Sequence, residues 1–567
     1  MLARTTLRID ADLKKRTQQR ALEEATTQQE IFNKALEDYL QPKDAKKEAE
    51  GKTLEPERVN ARADIIELIF SSLDIESRGF INKGDLIDAL SFRGILDDDI
   101  RIKDVVQALN SHKDKDVPLP VFRKIVSPYI TIIEKALTGS LTIPDFTNFC
   151  SFITNLYNRT LQNKDGEVSD YIPELKNVNP SNYAISICTV DGQRFNLGDC
   201  KIPYLAQSTA KAINYCLSLE EHGEEEVHKK IGRDPLTRGS DQLKLNSAGL
   251  PHNPLTAAGA IMVASLIGQE LTVPERFELA QKKWKSLAGG IVSGFSQAAS
   301  DSSKRVADKD LALAYFMRLN KLFPKNSNLE EYLDFLFNTM SIETTTEAQA
   351  VIAATLANGG VCPTNGEAVL KQQTTKNCLS FMYSCGMEDN SSEFAFSIGL
   401  PAKSGVSGSI MIVVPNVMGI AIYSPRVDGD GNSVKGLDLC NKLIQRFNFH
   451  MYDQKIQNLV KIDPRLLKNE NKMQGVMAVC AAASQGDLYE VQRLEANGVA
   501  LDEGDYDART GMHLAAAEGH EEVVRYFIEK KVDVNPKDRW GGTPLNDAMR
   551  ANHAKVVELL EKNGAKL

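Results

Sequence analysis

The spacing of apolar residues changes character several times along the chain. Arg4-Thr-Thr-Leu-Arg-Ile-Asp10 alternates, with Leu7 and Ile9 on one side and Arg4, Thr6 and Arg8 on the other, the period of a half-buried strand. A charged helix over about 11–24 follows, and Thr27 with Glu30 makes a capping box opening a second helix that carries Ile31, Phe32, Ala35, Leu36 and Tyr39 on one face. Between Pro42 and Pro56 lies a run of Lys, Glu and Asp with no hydrophobic period, which reads as a linker. Helical spacing returns at Ile65, Ile66, Ile69, Phe70 and Leu73 and persists to about residue 163. Two strands around Asp191-Gly192, over 184–190 and 193–197, form a hairpin signature. Helices are predicted over 257–267, 311–319, 329–340 and 346–358, and strands over 394–399 and 409–423. The run 408–423 is the most apolar, but it is short for a membrane span and is interrupted by Pro415-Asn416, so it reads as a buried hairpin. Helices enclosed by an early hairpin and late antiparallel strands predict an α+β domain with helices packed on a sheet.

At the C-terminal end the pattern repeats. Met477-Ala-Val-Cys-Ala-Ala, Thr510-Gly-Met-His-Leu-Ala and Thr543-Pro-Leu-Asn-Asp-Ala recur every 33 residues, the period and signature of ankyrin repeats. The expected organisation is therefore a strand-helix-helix segment over 1–41, a charged linker over 42–59, a helical domain over 60–165, the α+β domain over 166–455 and a solenoid over 456–567.

Composition narrows the function classes. A net charge of −9 disfavours a surface generally suited to coating nucleic acid. Nine scattered cysteines without C-x-x-C suit reduced thiols and a cytoplasmic location, and no structural metal or cofactor is expected. No signal segment or membrane span is legible.

The candidate chemistry lies in Gln207-Ser208-Thr-Ala-Lys211, at the start of an expected helix, where serine and lysine fall one turn apart on one face. A serine hydroxyl needs a base to accept its proton, and a desolvated lysine can be that base. Lys403-Ser404-Gly405 precedes the last hairpin. Ser-x-x-Lys upstream and Lys-Ser-Gly on a late strand resemble the outer motifs of the serine β-lactamase and penicillin-binding fold.

Longer segments make the likeness specific. Tyr171-Ile-Pro-Glu-Leu, Cys188-Thr-Val-Asp-Gly-Gln-Arg194, Pro251-His-Asn-Pro254, Ala353-Ala-Thr-Leu-Ala-Asn-Gly-Gly360, Ser384-Cys-Gly-Met387, Gly399-Leu-Pro-Ala-Lys-Ser-Gly-Val406 and Val414-Pro-Asn-Val-Met-Gly419 resemble the animal kidney-type glutaminases from about residue 60 to the C-terminus. The resemblance implies hydrolysis of glutamine to glutamate and ammonia through an acyl-serine. It implies Ser208 as nucleophile, Lys211 as base, Tyr171 as a wall of the substrate pocket, and the N–H groups of Ser208 and Val406 as the oxyanion hole. Five positions depart from the family pattern. Ala257 stands where the family has a substrate-binding asparagine, Ser303 where it has a glutamate, Asp310 where it has an asparagine, Leu336 where it has a pocket tyrosine, and Glu388 where it has a proton-relaying tyrosine. The expectation is a glutaminase fold with impaired or lost activity. The alternatives are an active enzyme with a compensated pocket, in which Tyr383 replaces the lost tyrosine, or a non-catalytic regulatory scaffold.

Two further resemblances flank this domain. Residues 1–40 resemble ribbon-helix-helix repressors, which implies dimerisation and DNA contact through Arg4, Thr6 and Arg8. Asp74-x-Glu76-x-Arg78-Gly79-Phe-Ile81-Asn82-x-x-Asp85 resembles an EF-hand loop, but Arg78 and Asp85 fall where calcium needs an oxygen ligand and a bidentate glutamate, so a structural role is expected. The expected partners are glutamine or another small amide, further copies of the chain in a homo-oligomer, DNA at the N-terminal segment and a protein on the solenoid.

Overall fold

Apolar side chains on both faces of three central strands dictate the layering. The computed structural model describes residues 65–74, 76–235, 243–455, 461–466, 468–496 and 499–566. The N-terminal ribbon and linker readings, with Arg4, Thr6 and Arg8, lie outside the described residues. Strands β1 (Ala184–Thr189) and β2 (Arg194–Gly198) form the predicted hairpin, and β6 (Ala402–Gly405), β7 (Ser409–Val414) and β8 (Met418–Tyr423) complete an antiparallel sheet in the order β2-β1-β8-β7-β6. Every residue of β1, β7 and β8 is buried. Alternate residues serve opposite layers. Cys188, Met411, Val413 and Ala421 enter one core with the central helices, while Ile185, Ile187, Ile410, Ile412, Ile420 and Ile422 enter another with helices Phe146–Thr160 and Val434–Arg446. Helices thus cover both faces. Helix Phe146–Thr160, grouped by its spacing with the helical stretch before it, packs on this sheet.

On the first face, α8 (Thr346–Ala357) lies directly against β8. The contact is backbone to backbone at Gly419, where an added Cβ would sit 2.2 Å from the Ala354 nitrogen. Helices α2 (Thr209–His228), α3 (Ala257–Leu266), α4 (Val273–Leu287) and α7 (Leu329–Met340) build the rest of that core.

The strand expected over 394–399 is a helix, Ser391–Ser397. Phe394, Phe396 and Ile398 imitate a two-residue period, but Phe394 and Ile398 are buried, four apart on one helical face, while Phe396 is 83% exposed.

Residues 65–82 with 113–138 form one unit, and residues 83–112 with 139–566 another. In the first, Phe80–Asn82 pairs with Asp116–Pro118 and Phe70 meets Phe122 edge-on at 5.4 Å. Asp74 accepts from the Arg78 and Gly79 N–H groups at 2.9 and 2.6 Å, and the Arg78 guanidinium brings its own positive charge against Asp74 and Glu76. In the second unit, the C-terminal residues form three successive helix pairs around one core. The His520 Nε2 donates to the Ser484 carbonyl at 2.9 Å, and the His553 Nε2 repeats the contact with the Ala517 carbonyl at 3.0 Å. Gly486 and Gly519, left-handed at φ 71° and 78°, pass under these rings where no Cβ fits. No helix among the described residues is long and apolar enough to cross a membrane.

Candidate functional site

A short second sheet delivers Ser208. Strand β3 (Tyr204–Leu205) pairs with β5 (Ile342–Thr344), which also pairs with β4 (Gly294–Phe295). Ala206 and Gln207 continue the pairing, donating to the Ile342 and Met340 carbonyls at 2.8 Å each. Gln207 then turns left-handed, φ 46°, and α2 begins. A non-glycine residue adopts this conformation at a cost of about 1–3 kcal/mol, tolerated where the surroundings impose it. Here the surroundings include Tyr204, stacked on Tyr423 at 4.3 Å, with its hydroxyl on Gln349, whose amide in turn reaches Thr209.

Ser208 is the residue before the first helical turn, rather than inside the helix as its spacing suggests. Its hydroxyl makes no capping bond and is not otherwise hydrogen-bonded among the described residues. Lys211 is one turn on, its N–H donating to the Ser208 carbonyl at 3.2 Å. The Ser208 and Val406 N–H groups donate to no acceptor among the described residues. Val406 directly follows β6, whose Gly405 passes close to Ala206 and Gln207.

Glu388 closes the other side. Its backbone is left-handed, φ 51°, and its carboxylate meets the Lys403 ammonium at 2.6 Å. Lys403 is completely buried, and its three donors are filled by Glu388, the Ser404 carbonyl at 2.9 Å and the Gly386 carbonyl at 3.1 Å. Burial pushes the Lys403 pKa down, against the opposing pull of Glu388. Burial pushes the Glu388 carboxyl up, but Lys403 and Lys211 together hold it below the ordinary carboxylate range. Tyr383 does not join this group: its hydroxyl is directed to the Ala395 carbonyl at 3.5 Å.

The remaining positions are carried by several separate helices and the segment around Tyr171. Tyr171 is 40% exposed, and its phenol pKa is raised by burial and by the nearby charge of Asp310. Asp310 sits in the first turn of Asp308–Leu319. Ser303 is buried in Gln297–Arg305, where its neighbour Ser302 donates to Glu174 at 3.0 Å. Ala257 opens α3, and Leu336 is buried in the core through α7. Sequence reasoning missed three participants as site residues: Gln207, Glu174 and Lys403. Each lies inside a quoted motif, yet strain and burial decide their roles. No cluster of three or more metal-ligating side chains occurs among the described residues.

A family model described as glutaminase matches residues 166–452, an ankyrin-repeat model of three copies matches 456–567, and an EF-hand model matches 65–144. The "Glutaminase liver isoform, mitochondrial" of Mus musculus is 40% identical over 479 residues, 83% of this chain and 80% of its own. The glutaminase of Trichormus variabilis is 38% identical over 328 residues, 57% of this chain and 96% of its own. Among solved structures, "Probable glutaminase ybaS" is 32% identical with a TM-score of 0.50, covering 52% of this chain and 95% of its own. A crystal structure of Mglu is 26% identical with a TM-score of 0.51, covering 62% and 96%.

Proposed function

The chain belongs to the glutaminase family, and from that membership we propose that it is a serine–lysine amidohydrolase scaffold on which glutamine hydrolysis is strongly reduced or lost. The observation that carries the chemistry is the conjunction at Ser208: an unspent hydroxyl, a lysine one turn on, and two N–H groups without acceptors. Ser208 attacks an amide carbonyl, Lys211 takes its proton, and the Ser208 and Val406 N–H groups receive the developing oxyanion. Lys211 then gives the proton to the leaving nitrogen as the C–N bond breaks, releasing ammonia and leaving the acyl-serine, which water hydrolyses in the second half-reaction.

The loss lies in what holds the substrate. Ser303 and Ala257 are too short for the contacts that the family's glutamate and asparagine make with the amino-acid head. Asp310, beside Tyr171, sets a negative charge where the substrate carboxylate would lie. Leu336 has no hydroxyl. Each lost polar contact costs about 1–3 kcal/mol, more where a charge is involved. Contacts in one pocket do not add fully, yet four or five such losses reduce kcat/KM by several powers of ten. The decisive assay is ammonia release from glutamine by the full chain, with Ser208→Ala as control. Turnover at ordinary enzyme rates that disappears in Ser208→Ala would refute the proposal.

The nine scattered cysteines, without a C-x-x-C, fit a reducing compartment, the cytoplasm or the mitochondrial matrix to which the name of the Mus musculus relative points. The ankyrin repeats offer a surface for a protein partner. DNA contact and dimerisation through residues 1–41 remain part of this proposal; a salt-dependent gel shift, lost in Arg4→Ala with Arg8→Ala, tests the DNA contact.

A further inference from the structure

Two lysines, one of them a turn after Ser208, act on the Glu388 carboxylate, and their surroundings divide them. Lys403 has its three donors committed, so it is a fixed cation and has no room to accept a proton. Lys211 makes no side-chain hydrogen bond among the described residues, so its nitrogen is available to exchange a proton with Ser208. Lys403 holds one oxygen of Glu388. The other oxygen has no hydrogen-bond partner among the described residues, and the side chain is 29% exposed, so water reaches it. The left-handed backbone at Glu388 is a strained state at a functional position, and it sets the side chain against Lys403.

We propose that Glu388, anchored by Lys403, is the general base that activates water to hydrolyse an acyl group on Ser208. This rests on the reading of Ser208 as an acyl-forming nucleophile. With p-nitrophenyl acetate as probe, Ser208 Oγ bonds to the acetyl carbon, its proton passes to Lys211 Nζ, and p-nitrophenolate leaves with the electron pair. Water then bonds to the acetyl carbon while one of its protons passes to the free oxygen of Glu388. Ser208 Oγ departs and recovers its proton from Lys211. Acetic acid is released, and Glu388 returns its proton to solvent. The charged groups facing Glu388 are Lys403 from β6 and Lys211 from α2.

The test uses the full chain with p-nitrophenyl acetate. Wild type is expected to release about one equivalent of p-nitrophenolate in a burst and then turn over steadily, and Ser208→Ala is expected to lose both phases. Glu388→Gln is expected to keep the burst, which reports an intact site, while its steady rate falls at least tenfold and an acetyl group accumulates on the Ser208 peptide by mass spectrometry. Glu388→Asp is expected to recover part of the rate. The wild-type steady rate should fall as Glu388 is protonated on acidification, a limb missing in Glu388→Gln. An unchanged steady rate and pH profile in Glu388→Gln would overturn the assignment, as would a burst that survives Ser208→Ala or is missing in wild type. Glutamine turnover is read separately as ammonia, so failure of the reduced-activity reading is distinguishable from failure of this one.

Discussion

Replacing Glu388 with glutamine should destabilise the catalytic domain measurably even though the change removes no volume. The substitution leaves Lys403 completely buried and charged, with its two carbonyl acceptors and one neutral amide in place of a carboxylate. Removing one partner of a buried pair costs about 3–5 kcal/mol. Glu388 is 29% exposed and glutamine keeps an acceptor, so we reduce this to about 2 kcal/mol. Unfolding in urea, followed by fluorescence, isolates the domain: Trp284 is buried within it, and Trp540, in the repeats, is removed as Trp540→Phe. With a slope of about 3 kcal/mol per M, the midpoint should fall by about 0.7 M at pH 7. The pH dependence carries a defined sign. Burial already holds Lys403 below its unfolded value, and losing Glu388 lowers it further, so the unfolded chain binds more protons and the variant gains stability as pH rises toward about 10.4. The gap to wild type should narrow between pH 7 and 10. On the acid side, Glu388 is held below its ordinary range, so its contribution is complete above about pH 4.3 and is lost as pH falls through its folded value. A midpoint within about 0.15 M of wild type at pH 7, or a gap constant from pH 7 to 10, would refute the reasoning.

Three other outcomes are expected. Combining Ala257→Asn, Ser303→Glu and Asp310→Asn should raise kcat/KM for glutamine by at least about a hundredfold, since each restores a contact worth about 1–3 kcal/mol; steady-state ammonia release checks this. Gly419→Ala should cost about 1–3 kcal/mol in urea unfolding, because the new methyl would meet the Ala350 and Ala354 backbone of α8. In the repeats, His513 is fully buried against Thr510 and the Gly542 carbonyl, and burial lowers its pKa. Its contribution should hold above about pH 6.5 and decline as pH falls through its lower folded value, seen as acid loss of Trp540 fluorescence change on melting that His513→Gln makes less pH-dependent.

How much was legible follows from how local each signal is. The hairpin around Asp191-Gly192, the helices of the central domain and the 33-residue repeat are written in spacing over neighbouring residues, and the structure carries all three. Phe394–Ile398 misled because alternation over five residues also fits one helical turn, and only burial of Phe394 and Ile398 together separates the two. The Ser208–Lys211 relation needs nothing beyond helix geometry. Glu388 and Lys403 are fifteen positions apart, and their pairing depends on the Gly386 segment lying beside β6, which no local period encodes. The strain at Gln207 comes from two strand bonds to a segment more than a hundred residues away.

The strand order has a consequence for how this protein is made. In the sheet, β1 has as its neighbours β2, which follows it immediately, and β8, which ends at Tyr423. A ribosome adding about 5–20 residues per second needs about 10–50 s to pass from Thr189 to Tyr423. Through that interval the hairpin has one strand built for complete burial and an unfilled edge, next to emerging helices whose common surface is still unsynthesised. The domain therefore cannot close progressively from its N-terminus, and a nascent chain paused before β8 should depend on chaperones more than its helical content suggests.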